Sequence, residues 1–481
     1  MRAVMELHID RDGPDGLSEQ IYQQIRTAIL DGRLRPGDPL PSTRDAARQL
    51  GVSRTTIASA YDLLSAEGLV GGRVGAGTFV RATGPHPAGC VPETRPAGSP
   101  LRPRAIWDTV IIPTHLSEEP EYDFRVGLPD ARLFPYQTWR RLITRELRTS
   151  AVRAGIVGEP AGHQGLREAI ARHVGVSRAV RADPADIVVT SGSQQALDLI
   201  VRVLLRPGDR VAVENPGYPL HRNLLATSGM DVAPVPVDAE GLVVEALPDD
   251  CRLVIVTPSH QLPLGVRMSL PRRLALLEWA AAHDAAIIED DYDSEFRFAG
   301  PPLETLHSLD RSGRVIYLGT FSKVMLITLR LGFCVVPSEL RQAMRAAKHL
   351  ADWFTPVPVQ AALAGFIDEG LLAQHIRRMH KVYGERHRRI AAAVRQDFTP
   401  WLEPIPSAAG LHQTAWLRTG AADELFPAIV EAKKHGVGIF TVRMFAVPGT
   451  DFRNGLLFGY GSIRAESIDG GLRIIRNGLV R

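Results

Sequence analysis

The stretch Tyr317–Phe333, YLGTFSKVMLITLRLGF, decides what the larger part of this 481-residue chain is. It begins at the end of a β-branched and aromatic run (Val315, Ile316, Tyr317) and carries Lys323. Of 56 lysines and arginines only five are lysines, and Lys323 is the first. A chain that uses arginine for nearly every positive charge has kept an amine here. Arginine stays protonated and cannot form an imine, whereas a lysine in a tuned site loses its proton and attacks an aldehyde. A lone lysine is ordinarily a solvated one. The flanks argue otherwise: Ser322 precedes it and Arg330 follows seven residues later, both suited to hold a phosphate.

Four other segments bear on the same chemistry. In AIIEDDYDSEF, a short apolar run (Ala286 to Ile288) delivers acids and a tyrosine to the end of a buried strand. In IVVTSGSQQALDLIVRVLL, a strand (Ile187 to Val189) meets Ser191-Gly192-Ser193-Gln194 and then an amphipathic helix. That turn offers free backbone N–H groups at a helix N-terminus, an anion site. In VAVENPGYP, Tyr218 follows a Pro-Gly turn after another strand, and VIVTPSHQLPLGVRMSLPRR carries the polar pair His260 and Gln261 in a Pro-rich loop.

In this order the five segments resemble those of fold-type I pyridoxal-phosphate enzymes, the aspartate aminotransferase superfamily. The resemblance implies an α/β fold with a large α/β domain and a small α+β domain, and pyridoxal 5'-phosphate as cofactor. Lys323 would hold it as the Schiff-base lysine. Asp290 would partner the ring nitrogen, which must stay protonated for the ring to act as an electron sink. Tyr292 and Gln261 would meet the ring hydroxyl and Tyr218 would stack on the ring. Ser193, Gln194, Ser322 and Arg330 would hold the phosphate. The chain departs from the family pattern at Ile327 and Thr328, where Pro and Gly are usual, so the loop to Arg330 is expected to take another path. Val157 stands where the family usually has a tyrosine that reaches the neighbouring subunit's phosphate.

Residues 15–82 read as a different object. LSEQIYQQIRTAILDGRL places Ile21, Ile25, Ala28 and Ile29 at helical spacing. Ser42 is expected to cap a helix that Gly51 ends, and Ser53 to cap another with Ile57, Ala60, Leu63 and Leu64 facing inward. Joined by the tight LGVS turn, these form a helix-turn-helix whose second helix enters a major groove. Its first turn carries Arg54, Thr55 and Thr56, and VGGRVGAGTFV reads as a β-hairpin wing around Gly72, Gly75 and Gly77. The LPSTRDAARQLGVSRTT core and GAGTFV wing resemble the GntR-type winged helix-turn-helix. That resemblance implies double-stranded operator DNA as partner, met through Ser42, Arg44, Ser53, Arg54, Thr55, Thr56, Arg73 and Gly75. Residues 1–80 hold nine arginines against ten acids, whereas Arg33 to Arg54 holds five arginines against Asp38 and Asp45. Positive charge is thus local to the expected docking face, and weak single-head binding favours a dimer.

Between residues 83 and 118 prolines crowd a stiff, extended linker, and residues 119–481 form the aminotransferase class I/II-like body. No apolar run approaches the roughly 20 residues that span a bilayer. Cys90, Cys251 and Cys334 lack metal-ligand or disulfide-framework spacing, which fits a reducing cytoplasm, and no metal site is expected. Head, linker and body in this order resemble the MocR/GabR-type transcriptional regulators, implying a head-to-tail homodimer. The body is expected to sense pyridoxal phosphate, or an amine or amino acid that reacts with it. The alternative is a working aminotransferase with a DNA-binding appendage. Turnover needs an arginine for the substrate carboxylate, which relatives carry on a C-terminal strand matching LLFGY; that stretch has none, and Arg453 just before it is a loose candidate.

Overall fold

The computed structural model describes residues 7, 9–11, 16–73, 77–81, 102–110, 112, 120–148, 158–300, 304–407, 409–418 and 422–479. They fall into two units, Met1–Arg102 and Pro103–Arg481.

The first unit holds α1 (Leu17–Leu30), α2 (Thr43–Leu50) and α3 (Arg54–Ala66), with the strands β1 (Pro39–Leu40), β2 (Val70–Arg73) and β3 (Gly77–Val80). β3 lies between the other two, antiparallel to both. The caps sit where the sequence puts them. Ser42 Oγ accepts from Asp45 N and Ser53 Oγ from Thr56 N, and Gly51 closes α2 in the left-handed region at φ 64°. Ile21, Ile25, Ala28 and Ile29 of α1 are buried against Ile57, Ala60 and Leu64 of α3. Leu63 departs from expectation. It is exposed, and Tyr61 turns inward instead, its hydroxyl donating to Pro41 O at 3.0 Å. Positions 57, 60, 61 and 64 share one helical face, and 63 falls outside it.

A short strand β4 (Tyr122–Asp123) leads into the second unit, whose large sheet follows: β5 (Ile187–Thr190), β6 (Arg210–Asn215), β7 (Asp231–Asp238), β8 (Gly241–Leu242), β9 (Cys251–Val256), β10 (Ala286–Asp291), β11 (Val315–Thr320) and β12 (Gly332–Val335). The spatial order is β5-β12-β11-β10-β9-β6-β7-β8, with β12 and β8 antiparallel to their neighbours. The central strands are apolar on both faces because both are covered. Leu253, Ile255, Ile288, Ile316 and Leu318 pack with Leu197, Ile200 and Val201 of the helix Ser193–Leu204. Val254, Val256, Ile287 and Val315 meet Leu276 and Ala280 of the helix Leu270–Ala282 on the other face.

Beyond residue 400 come β13 (Leu402–Pro404), β14 (His412–Leu417), β15 (Val437–Gly438), β16 (Phe440–Thr441) and β17 (Gly455–Gly459). Four of them form an antiparallel sheet, β13-β14-β17-β16, and β15 pairs with β4. The 27-residue helix Leu371–Asp397 buries Tyr383, Ile390 and Val394 in the core shared with this sheet. Among the described residues no helix is long and apolar enough to cross a membrane.

Candidate functional site

β5, β6, β9, β10 and β11 run in one direction, so their C-terminal ends share one edge of the sheet. Each is followed by one of the five segments singled out in the sequence, and this edge is where open α/β sheets carry their ligands.

Lys323 follows β11, and its Nζ donates to Gly127 O at 2.8 Å. Burial pulls this amine below the ordinary lysine value; Asp293 and Asp290 oppose that pull and Arg330 adds to it. At the end of β10 Asp290 is 5 % exposed, and its Oδ1 has no hydrogen-bond partner. Burial, then repulsion from Asp291, pushes this carboxyl up to about 7. His221 Nε2 stands 3.6 Å from Asp290 Oδ2 and is likewise buried without a hydrogen bond. Burial lowers His221 to about 4, so it is neutral at pH 7. Tyr218 meets His221 edge-on, with ring centroids 4.9 Å apart. Burial raises the Tyr218 phenol to about 12.

The anion end gathers at the helix Ser193–Leu204. Gly192 precedes it at φ 96°, and Arg330 Nη2 donates to Ser191 O at 2.6 Å. A Cβ added at Gly192 would lie 2.8 Å from Arg330 Nη2. Ile327 to Leu329 form a 3₁₀ turn, and Arg330 itself takes the left-handed conformation at φ 51°. The loop without its usual Pro and Gly thus still brings Arg330 to Ser191 and Gly192, at the start of that helix. Gln194 Nε2 donates to Leu220 O at 3.3 Å, while its Oε1 is buried and unpaired. Ser322 is buried, its N–H held by Thr320 Oγ1 at 3.2 Å.

The ring-hydroxyl end differs from expectation. Gln261 Nε2 is within 3.2 Å of Glu214 Oε2, 2.9 Å of Pro216 O and 2.8 Å of Leu262 O, and its Oε1 accepts from Leu264 N. Both amide protons are committed, and none is left for a ring hydroxyl. His260 stands there instead: its Nδ1 is 3.1 Å from the buried Tyr292 hydroxyl. His221, His260, His412 and the Gly127 carbonyl were not assigned from sequence. His260 stood out only as the neighbour of Gln261, and His221, in the first turn of the helix that Tyr218 precedes, carried a usable signal. Arg453 is engaged elsewhere, donating to Glu403 Oε2 at 2.6 Å with its guanidinium over Trp416. β17, Gly-Leu-Leu-Phe-Gly, is buried throughout.

These residues fit a pyridoxal group. An unpaired buried carboxylate oxygen suits a protonated ring nitrogen, a depressed amine suits an aldehyde, and a helix N-terminus with an arginine suits a phosphate. Val157 lies outside the described residues, as do Gly75, the Arg73 side chain and most of 83–118.

On the head, Arg44 and Arg54 are exposed and form no ion pair among the described residues. Ser53 Oγ lies 2.7 Å from both Thr55 Oγ1 and Thr56 Oγ1, and Ser42 Oγ donates to Asp45 Oδ2 at 2.8 Å. The two serines therefore organise helix N-termini, and Arg44, Arg54 and Thr55 present the exposed donors.

Family models match both units: bacterial regulatory proteins of the gntR family over residues 17–80, and aminotransferase class I and II over residues 129–455. The probable rhizopine catabolism regulatory protein MocR of Rhizobium meliloti is 36% identical over 473 residues, 98% of this chain and 95% of that protein. The pyridoxine biosynthesis transcriptional regulator PdxR of Corynebacterium glutamicum is 32% identical, covering 96% of each chain. Among solved structures, Pyrococcus horikoshii kynurenine aminotransferase, crystallised with PMP, superposes with a TM-score of 0.69 at 29% identity, over 76% of this chain and 92% of that one. The site lies in the part shared with aminotransferases, and the likeness to MocR and PdxR runs through head and body alike. The chain therefore belongs to the MocR-type transcriptional regulators, in which a GntR-type winged helix-turn-helix is joined to an aminotransferase-like body of fold type I.

Proposed function

We propose that this regulator binds pyridoxal 5'-phosphate at Lys323 and uses it to sense the cofactor itself or an amine or amino acid that reacts with it. The carrying observation is the Asp290 carboxylate, buried with one oxygen unpaired at the sheet edge that also bears Lys323. An unpaired buried acceptor costs on the order of 1–3 kcal/mol, a cost that a ring N–H would relieve. When bound, the cofactor supplies an aldehyde and an electron-accepting ring. The protein's own groups do the rest. Asp290 holds the ring proton, Tyr218 covers a face, and Ser193, Gln194, Ser322 and Arg330 fix the phosphate. Lys323 offers its amine, and Gly127 O orients that amine.

The head would bind operator DNA through Arg44, Arg54 and Thr55, in a cytoplasmic head-to-tail homodimer with one head per half-site. A working aminotransferase is the second reading, and the 30% identity to aromatic-amino-acid aminotransferase 1 of Thermococcus litoralis speaks for it. Arginine-free β17 and the engagement of Arg453 with Glu403 speak against it. Borohydride treatment after incubation with the cofactor, followed by peptide mass analysis, tests the proposal. Attachment at Lys323 supports it; a protein that stays colourless and unmodified refutes it. Rapid transamination of a common amino acid would instead favour the enzyme.

A further inference from the structure

His260 has no role in the reading above, yet the fold is built closely around it. A Cβ at Gly410 would fall 2.0 Å from the His260 ring, and one at Gly265 would fall 3.2 Å from Nε2. Both glycines have positive φ, 81° and 76°, so two turns have been shaped to admit the imidazole. Nδ1 faces the two Asp293 carboxylate oxygens at 3.2 and 3.1 Å, and Nε2 is 3.3 Å from Ser407 Oγ. Leu411 N donates to Asp293 Oδ2 at 3.1 Å, fixing the carboxylate in turn. His260 and Asp293 are both buried.

This arrangement settles where protons lie. A carboxylate has none to give, so Nδ1 carries the hydrogen and donates it toward Asp293. The Tyr292 hydroxyl is 3.1 Å from that same nitrogen and cannot donate to it. Tyr292 therefore keeps its own proton for a different acceptor. Nearby titratable groups come from several elements: His412 on β14, with ring centroids 4.5 Å from His260, and His387 on the helix Leu371–Asp397. Lys323 acts electrostatically on both Asp293 and His412. His412 Nε2 donates to Pro263 O at 3.0 Å, so its ring too is committed to the protein.

We propose that Asp293 and His260 are positioning residues that hold the Tyr292 hydroxyl as a dedicated donor to the ring oxygen of the pyridoxal group. The inference rests on the cofactor reading above and adds to it a chain of command, Asp293 to His260 to Tyr292. With the pyridoxal group bound through Lys323, a donor on that oxygen would draw off negative charge and so lower the pH at which the visible band titrates.

The test is the visible absorbance of the full-length, cofactor-loaded protein, titrated with pH. Tyr292→Phe should move the titration upward by about one unit, the scale of one hydrogen bond to an ionised oxygen. His260→Leu should move it in the same direction, because it removes the group that holds the hydroxyl while leaving the Asp293 charge in place. His260→Leu placed on Tyr292→Phe should add nothing, a non-additivity that a merely structural role would not produce. Asp293→Asn also removes a charge that raises the Lys323 amine, so its direct effect is downward. Should His260→Leu fail to fold, Asp293→Asn decides by difference, its shift made alone lying about one unit above its shift on Tyr292→Phe. A His260→Leu titration equal to wild type, or additive shifts in the double variant, overturns the proposal while leaving cofactor binding intact. A wild-type protein with neither a visible band nor a reducible attachment overturns the cofactor reading, and this inference with it.

Discussion

Replacing Asp290 by asparagine should make the cofactor-free body more stable at alkaline pH, although it removes a residue the site needs. The buried carboxyl is raised from the ordinary 3.8 to about 7, roughly three units. At about 1.4 kcal/mol per unit this corresponds to about 4 kcal/mol. The sign follows from linkage. Below pH 4 the group is protonated in both folded and unfolded chains and contributes nothing. Between about 4 and 7 the unfolded chain ionises while the folded one does not, so stability falls as pH rises. Above 7 the full loss is present. Asparagine does not ionise, so its advantage should be near zero at pH 4 and approach about 4 kcal/mol by pH 8. All six tryptophans lie at residue 107 or beyond, so urea unfolding followed by tryptophan fluorescence reports the body alone. Saturating pyridoxal phosphate should then stabilise wild type strongly and the variant weakly. A variant no more stable than wild type at pH 8 would show that Asp290 is already satisfied without the ring nitrogen.

Other variants separate the remaining parts. Lys323→Ala should abolish borohydride-fixed cofactor and the ligand response while leaving operator affinity in place, both measurable by mass analysis and fluorescence anisotropy. Arg54→Ala should cost roughly 1–3 kcal/mol on the operator with reduced discrimination if it reads a base; if it touches only phosphate, the salt slope should flatten by about one unit. Gly192→Ala places a side chain at φ 96° and 2.8 Å from Arg330 Nη2, and should cost roughly 1–3 kcal/mol of stability together with cofactor affinity, read by thermal melts and absorbance titration. Arg453→Ala should leave the ligand response unchanged and cost at most about 1 kcal/mol, since its partner Glu403 is half exposed.

What sequence made legible were features encoded locally. Caps at Ser42 and Ser53, apolar runs that become buried strands, and the motifs behind β5, β6, β9, β10 and β11 all depend on neighbours a few residues away. Three readings needed the third dimension. Tyr61 rather than Leu63 shares the face of positions 57, 60 and 64, and the buried tyrosine's hydroxyl is satisfied by the Pro41 carbonyl, twenty residues off. Gln261 had the right chemistry for a ring hydroxyl, but Glu214 and the Pro216 carbonyl, more than forty residues upstream, take its protons. Arg330 was in doubt because its loop lacks glycine; the backbone supplies the positive φ at the arginine itself, an option that residue type does not advertise.

A sensor and an enzyme place different demands on one pocket, and the residues here divide along that line. Equilibrium sensing needs differential affinity between states, so ground-state contacts are enough. Turnover needs contacts that strengthen in the transition state, together with a grip on the substrate's carboxylate that orients the bond to be broken. The proposed holding contacts—Asp290, Tyr218, and the Ser193–Arg330 end—serve the first demand. β17, the strand where the family resemblance implies a carboxylate grip, is filled by Leu456, Leu457 and Phe458, all buried. On the proposed reading, an effector entering beside Lys323 meets His260, Asp293 and His412 rather than a strand-borne guanidinium. Ligands joined through an amine alone should therefore compete well against α-amino acids, a ranking that displacement of the visible band by a matched amine and amino-acid series would measure. A uniform preference for α-amino acids would place an arginine in the pocket from elsewhere and return the body to the enzymes.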